Sequence, residues 1–165
     1  MLLMKMKNIK FWSRKEYQGM KIYYAAPLFN DWELNKKEKK KKWLESKGYF
    51  VYLPQDEAGL AYEKIDTGNK RKINKMIFES DIKCIKNSDL LIFDLNGRVP
   101  DEGGCVELGM AYAWGIKCIG FKTDTRALDY TGDDNLMIEG CMEFKIARNL
   151  EELERMIKEV IVEFD

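Results

Sequence analysis

Asp89-Leu90-Leu91-Ile92-Phe93-Asp94-Leu95 is followed by Val99-Pro100-Asp101-Glu102-Gly103-Gly104-Cys105-Val106-Glu107-Leu108-Gly109-Met110. The first run is apolar and short, as expected of a strand buried on both faces. The second is an acidic, glycine-rich turn leading into a helix that ends near Trp114. A turn of that kind, between a buried strand and a helix, is where open α/β sheets bind ligands. Glu107 falls in the first turns of the helix, where the macrodipole favours an ionised carboxylate. Its own face reads Glu107, Met110, Ala111, Trp114, so one charge interrupts an apolar stripe. A carboxylate turned toward a core is costly unless it has a partner or a chemical role. The plainer reading is a glutamate that only interacts with the helix dipole.

A second acid favours the functional reading. The segment Lys72–Lys86 places Ile73, Met76, Ile77, Cys84 and Ile85 at helical spacing. Asp81 lies four residues after Ile77 and four before Ile85, inside that stripe, whereas Glu79 falls off it. Two inward carboxylates on the helices flanking one strand resemble the paired acids of glycosidic bond cleavage. The bland alternative for Asp81 is satisfaction by backbone amides or by Lys and Tyr side chains.

Working outward, short apolar runs alternate with helical patterns. Strands are expected at Ile22–Ala26, Tyr49–Leu53, Asp89–Leu95, Lys117–Phe121 and Phe144–Ala147. A helix capped by Asn30 or Asp31 runs to Lys47 and is ended by Gly48; a closing helix, Glu151–Val162, turns Leu153, Met156, Ile157 and Val160 inward. A polar loop spans Gln55 to Asn69. Such alternation means an α/β fold, a five-stranded parallel sheet with helices on both faces. The lysine run Lys36–Lys42 reads as a solvated face of the first helix, opposite Trp32, Leu34, Trp43 and Leu44. Residues 1–20 read as an N-terminal extension or as the product of an upstream start codon, with residues 21–165 expected to be a single domain.

Composition narrows the chemistry. Basic and acidic residues number 28 each, so no net charge points to nucleic acid or a membrane surface. Apolar runs are too short for a membrane span or a signal-peptide core. Cys84, Cys105, Cys118 and Cys141 are widely spaced, which suits thiols in a reducing cytoplasm. The sequence has no histidine, so Ser-His-Asp hydrolysis and His-ligated metal chemistry are excluded. Acid–base work falls to carboxylates, Tyr or Lys. Neither a metal nor a cofactor is implied, and the phosphate loop GxxxxGK[ST] is absent.

These residues also carry a family pattern. Ile22-Tyr23-Tyr24-Ala25-Ala26-Pro27-Leu28-Phe29 resembles the "IY-AGP-F" opening of the nucleoside 2-deoxyribosyltransferases, and Leu53-Pro54-Gln55 resembles their base-side segment. Asp81-Ile82 matches their catalytic-acid segment. Pro100-Asp101-Glu102-Gly103 with Val106-Glu107-Leu108-Gly109 matches "PD-GT--E-G", and Asp134-Asn135-Leu136-Met137-Ile138-Glu139-Gly140 resembles "DN-L-VEG". The likeness runs from about Lys21 to the C-terminus, and it departs at Gly104, where the family usually has Thr.

The resemblance implies a flavodoxin-like, three-layer fold and transfer of a 2-deoxyribosyl group between nucleobases by double displacement. Glu107 is then the nucleophile and Asp81 the acid and base toward the departing and incoming nucleobase. Tyr23 orients Glu107, Asp101 binds sugar hydroxyls, and Gln55 and Phe29 meet the base. Asn135 reaches a sugar 5'-hydroxyl in a neighbouring subunit, which implies a homo-oligomer. The implied partners are 2'-deoxynucleosides and free nucleobases. Without the resemblance, Tyr23 reads as a half-buried strand aromatic and Asp101 as a turn cap.

Three alternatives stand beside this reading. A hydrolase of the same superfamily acting on 2'-deoxynucleoside 5'-monophosphates needs phosphate donors after the first strand. There this chain has Ala25-Ala26-Pro27-Leu28-Phe29-Asn30-Asp31, apolar and then acidic. A phosphoribohydrolase of the cytokinin-activating type lacks its "PGG-GT--E" motif here. A nucleoside-binding sensor has no need of two inward carboxylates.

Overall fold

The five apolar runs form the five strands of one parallel sheet in the computed structural model of the chain, which describes residues 19–27, 31–54, 69–97, 99–124 and 134–162. In chain order the elements are β1 (Lys21–Ala25), α1 (Asp31–Ser46), β2 (Phe50–Tyr52), α2 (Lys70–Lys86) and β3 (Leu90–Asp94). They continue as α3 (Glu102–Ala113), β4 (Lys117–Phe121), α4 (Leu136–Cys141), β5 (Ile146–Ala147) and α5 (Leu150–Val162). The strand order is β2-β1-β3-β4-β5, the flavodoxin-like arrangement.

Every residue of β1 and β3 is buried, because helices cover both faces of the sheet. Alternate side chains separate into two cores. Ile22, Tyr24, Leu90, Ile92 and Phe121 pack with Leu44 of α1 and with Leu153, Ile157 and Val160 of α5. Tyr23, Tyr52, Leu91 and Phe93 pack with Ile85 of α2 and with Leu108 and Ala111 of α3. The chain thus leaves β1 toward one face and β3 toward the other. Between these strand ends lies the switch point at which such sheets place ligands. Register pairs Tyr23 of β1 with Tyr52 of β2 on one side and Leu91 of β3 on the other.

Several expectations need adjustment. The last strand is two residues long, because Glu143 and Phe144 take positive φ values of 52° and 61° and cannot extend it. The short helix α4 lies between β4 and β5, a stretch for which no helix is named above; Asn135 caps it, its side chain accepting from the Met137 N–H at 2.9 Å. The lysine run is not simply a solvated face. Lys37 is 2 % exposed and donates to the Ala26 carbonyl, and Lys40 reaches Asp94 at 2.5 Å. On α3 the buried stripe is Gly104, Leu108 and Ala111, while Trp114 is exposed beneath the Lys86 ammonium. None of the four cysteines forms a disulfide. Among the described residues no helix is long and apolar enough to cross a membrane.

Candidate active site

Tyr23 sits in the middle of β1 and points toward α2 and α3. Its ring is fully buried, and its hydroxyl donates to Glu107 Oε1 at 2.8 Å. The sequence folds this way because alternation on β1 sends Ile22 and Tyr24 to the opposite core, leaving residue 23 beneath α3. Next to it in register, Tyr52 stacks on Tyr23 with centroids 5.4 Å apart and planes 25° apart. The Tyr52 hydroxyl donates to Asp81 Oδ1 at 3.2 Å. Two acids from two helices are therefore each met by a tyrosine, and the two tyrosines lean on one another.

The α3 helix begins at Asp101, whose Oδ2 accepts the Gly104 N–H at 2.7 Å. That cap fixes the turn of helix preceding Glu107. Burial pushes the Glu107 carboxyl up to about 8, helped by the neighbouring carboxylates of Asp81 and Asp101. The Tyr23 hydrogen bond and the Lys37 ammonium work in the other direction. The Tyr23 phenol is itself pushed well above its usual range, by burial first and then by Glu107 and Asp81, so it remains a donor. An acid with this environment, near the switch point of a parallel sheet, has the properties of a reactive group.

Of the residues singled out in the sequence, Tyr23, Asp81, Asp101 and Glu107 come together. Asn135 is exposed and spends its Oδ1 on capping α4, which packs against α3. Its motif neighbours serve the fold instead. Asp134 forms a buried ion pair with Lys122 at 2.6 Å, and Glu139 accepts the Asp134 N–H at 2.9 Å. Phe29 and Gln55 lie outside the described residues. Sequence reasoning missed Tyr52 and Lys37. Tyr52 is legible as the second aromatic of adjacent strands on one face. Lys37 stands seven residues before buried Leu44, and therefore on the same side of α1.

Gly104 is also explained. A Cβ built there lies 2.5 Å from the Phe93 ring, well inside contact distance. The ring of β3 occupies the space that a side chain at 104 needs, so the first turn of α3 rests directly on it.

The sequence profile described as nucleoside 2-deoxyribosyltransferase matches residues 22–142. The chain belongs to that family. An uncharacterized protein of Ureaplasma parvum is 35 % identical over 95 residues, covering 54 % of this chain. The match spans 58 % of that relative's length. Among solved structures, a conserved protein of Enterococcus faecalis V583 superposes with a TM-score of 0.69 at 27 % identity, covering 86 % of this chain and 98 % of the other. A 2-deoxyribosyltransferase of Bacillus psychrosaccharolyticus gives a TM-score of 0.58 at 27 % identity, over 74 % and 82 % of the two chains. A CMP N-glycosidase of Clostridium botulinum, at 22 % identity and a TM-score of 0.50 over 84 % and 97 % of the two chains, shares the fold.

Proposed function

We propose that the protein transfers the 2-deoxyribosyl group of a 2'-deoxynucleoside to a second nucleobase through a glycosyl ester on Glu107. The observation that carries this reading is the Tyr23 hydroxyl 2.8 Å from the carboxylate of a largely buried Glu107. With Oε1 holding the tyrosine proton, attack on the anomeric carbon falls to Oε2. The C1'–O bond forms as the C1'–N bond breaks, and Asp81 gives its proton to the departing base. In the second half the incoming base attacks the same carbon, Asp81 takes its proton, and Glu107 leaves as the carboxylate. Two inversions give net retention, as in retaining glycosidases. The first step needs one proton in the acid pair, and the arrangement that reacts is the one with that proton on Asp81 and Glu107 ionised. A deoxyribosyl centre, with no electron-withdrawing 2'-hydroxyl, readily develops the positive charge that Glu107 stabilises and captures.

Hydrolysis is the same chemistry with water in place of the second base. One assay separates the readings: deoxyadenosine is incubated with and without a second free base, and products are followed by chromatography. Exchange is the expected outcome, with a mass increase of one deoxyribosyl group on the intact protein and much slower turnover of adenosine. Release of base alone points to a hydrolase, and an unchanged nucleoside to a binding protein.

The active unit in this reading is a homo-oligomer in which Asn135 completes a neighbouring site. The outward presentation of α4, with Leu136 and Met137 more than two-thirds exposed, supports it. Asn135→Ala and Glu107→Ala chains, each weak or inactive alone, are then expected to regain partial activity when mixed and reassembled. No recovery despite proven subunit exchange refutes the shared site.

A further inference from the structure

We propose that Tyr52 is the positioning residue of Asp81, holding that carboxyl where it can meet a nucleobase. The inference rests on the reading of Asp81 as the acid and base of the transfer. Tyr52 comes from β2, at the edge of the sheet, and its ring is 5 % exposed. Its hydroxyl lies 3.2 Å from Asp81 Oδ1. Asp81 sits on α2 with no covalent tie to β2 closer than the long connection between them, so its rotamer depends on what it touches. A phenol donating to one carboxyl oxygen removes a rotational freedom that proton transfer otherwise has to overcome. The ring itself is held by the stack on Tyr23, 5.4 Å away, the side chain that binds Glu107. Acid and nucleophile are therefore set relative to each other by two aromatic rings on adjacent strands.

The test is Tyr52→Phe, which keeps the stacked ring and deletes only the hydroxyl. Rates are measured on a series of 2'-deoxyuridines whose 5-substituents make the departing base progressively less basic. We expect roughly tenfold loss on the most basic leaving group, the size typical of one hydrogen bond, shrinking along the series. In an Asp81→Asn background the same substitution is expected to cost little more, because both act on one group. A crystal structure of Tyr52→Phe should show Asp81 in a new or divided rotamer with Tyr23 and Glu107 unmoved. A loss uniform across the series, or fully additive with Asp81→Asn, overturns the assignment. If the wild-type protein neither transfers nor releases base, the proposed function fails. The crystallographic arm then decides alone: a displaced Asp81 upholds the positioning role, and an unmoved Asp81 refutes it.

Discussion

Tyr23 and Tyr24 are neighbours on β1, point to opposite faces of the sheet, and each donates its hydroxyl to a carboxylate. Tyr24 meets Asp94 at 2.9 Å, and there the acid is surrounded by donors. Lys40 lies 2.5 Å from Oδ2, and the backbone and side-chain N–H groups of Asn96 both bind Oδ1. Lys40 also rests over the Phe121 ring at 4.5 Å, so its charge is held on two sides. Tyr23 meets Glu107 in the company of Asp81 and Asp101, and that carboxyl is pushed up to about 8. The same bond serves two ends. Where cations and amides saturate the carboxylate, the result is a clasp joining α1 to β3; where other acids crowd it, the result is a group poised to react.

The largest expected break in this comparison is Glu107→Ala, which should lower exchange by roughly 10⁴-fold or more, as when a nucleophile is lost. The protein should remain folded, and the deoxyribosyl adduct should vanish from its mass spectrum. Asp81→Asn comes next, with a loss of roughly 10²–10⁴-fold typical of a general acid or base. That loss should be smallest for bases that leave without protonation. An equal loss on every leaving group would contradict the acid role.

A matched pair of deletions sharpens the contrast. Tyr23→Phe should reduce kcat/KM by roughly 10–100-fold, the equivalent of about 1.5–3 kcal/mol for a hydrogen bond to a charged group, with little change in Tm. Tyr24→Phe should leave activity per folded molecule unchanged and cost about 1–2 kcal/mol of stability, read by denaturant unfolding. Reversal of those two outcomes would mean that the faces have been assigned the wrong way round.

A further effect is in pH. Glu107 titrates near 8 in the folded chain against an ordinary 4.5, so between those values the native state keeps a proton that the unfolded state has released. Its contribution to stability is complete below the lower value and is lost as pH rises through the upper one. Glu107→Gln removes this dependence, so its Tm should gain on the wild-type Tm steadily across that window. Above about 8 the wild-type kcat/KM should fall, because the acid pair then loses the one proton that the first step requires.

Much of this architecture is legible in the residues. The apolar runs at Leu90–Asp94 and Lys117–Phe121 are buried on both sides and leave no competing assignment. Asp81 and Glu107 stand out because an acid inside an apolar stripe breaks a period of 3.6. The short helix Leu136–Cys141 does not, since six residues carry too little periodicity to register. Phe144 reads as a strand aromatic, yet its left-handed backbone is a property of the turn that contains it. Lys37 and Lys40 are hidden by composition. Seven residues of which six are lysine look like solvent-facing charge, and only the spacing to Leu44 separates the two that turn inward. Asp134 and Asn135 read as one motif, but the first is locked in a buried ion pair and the second caps a helix.

The contact between Gly104 and Phe93 couples two positions. Because a Cβ at 104 lies 2.5 Å from the aromatic ring, any side chain there obliges the ring to shift. A smaller residue at 93 makes room but leaves a void beneath the helix that bears Glu107. Substitutions at the two sites are therefore expected to be non-additive: each alone costs stability, and a larger residue at 104 paired with a smaller one at 93 recovers part of it.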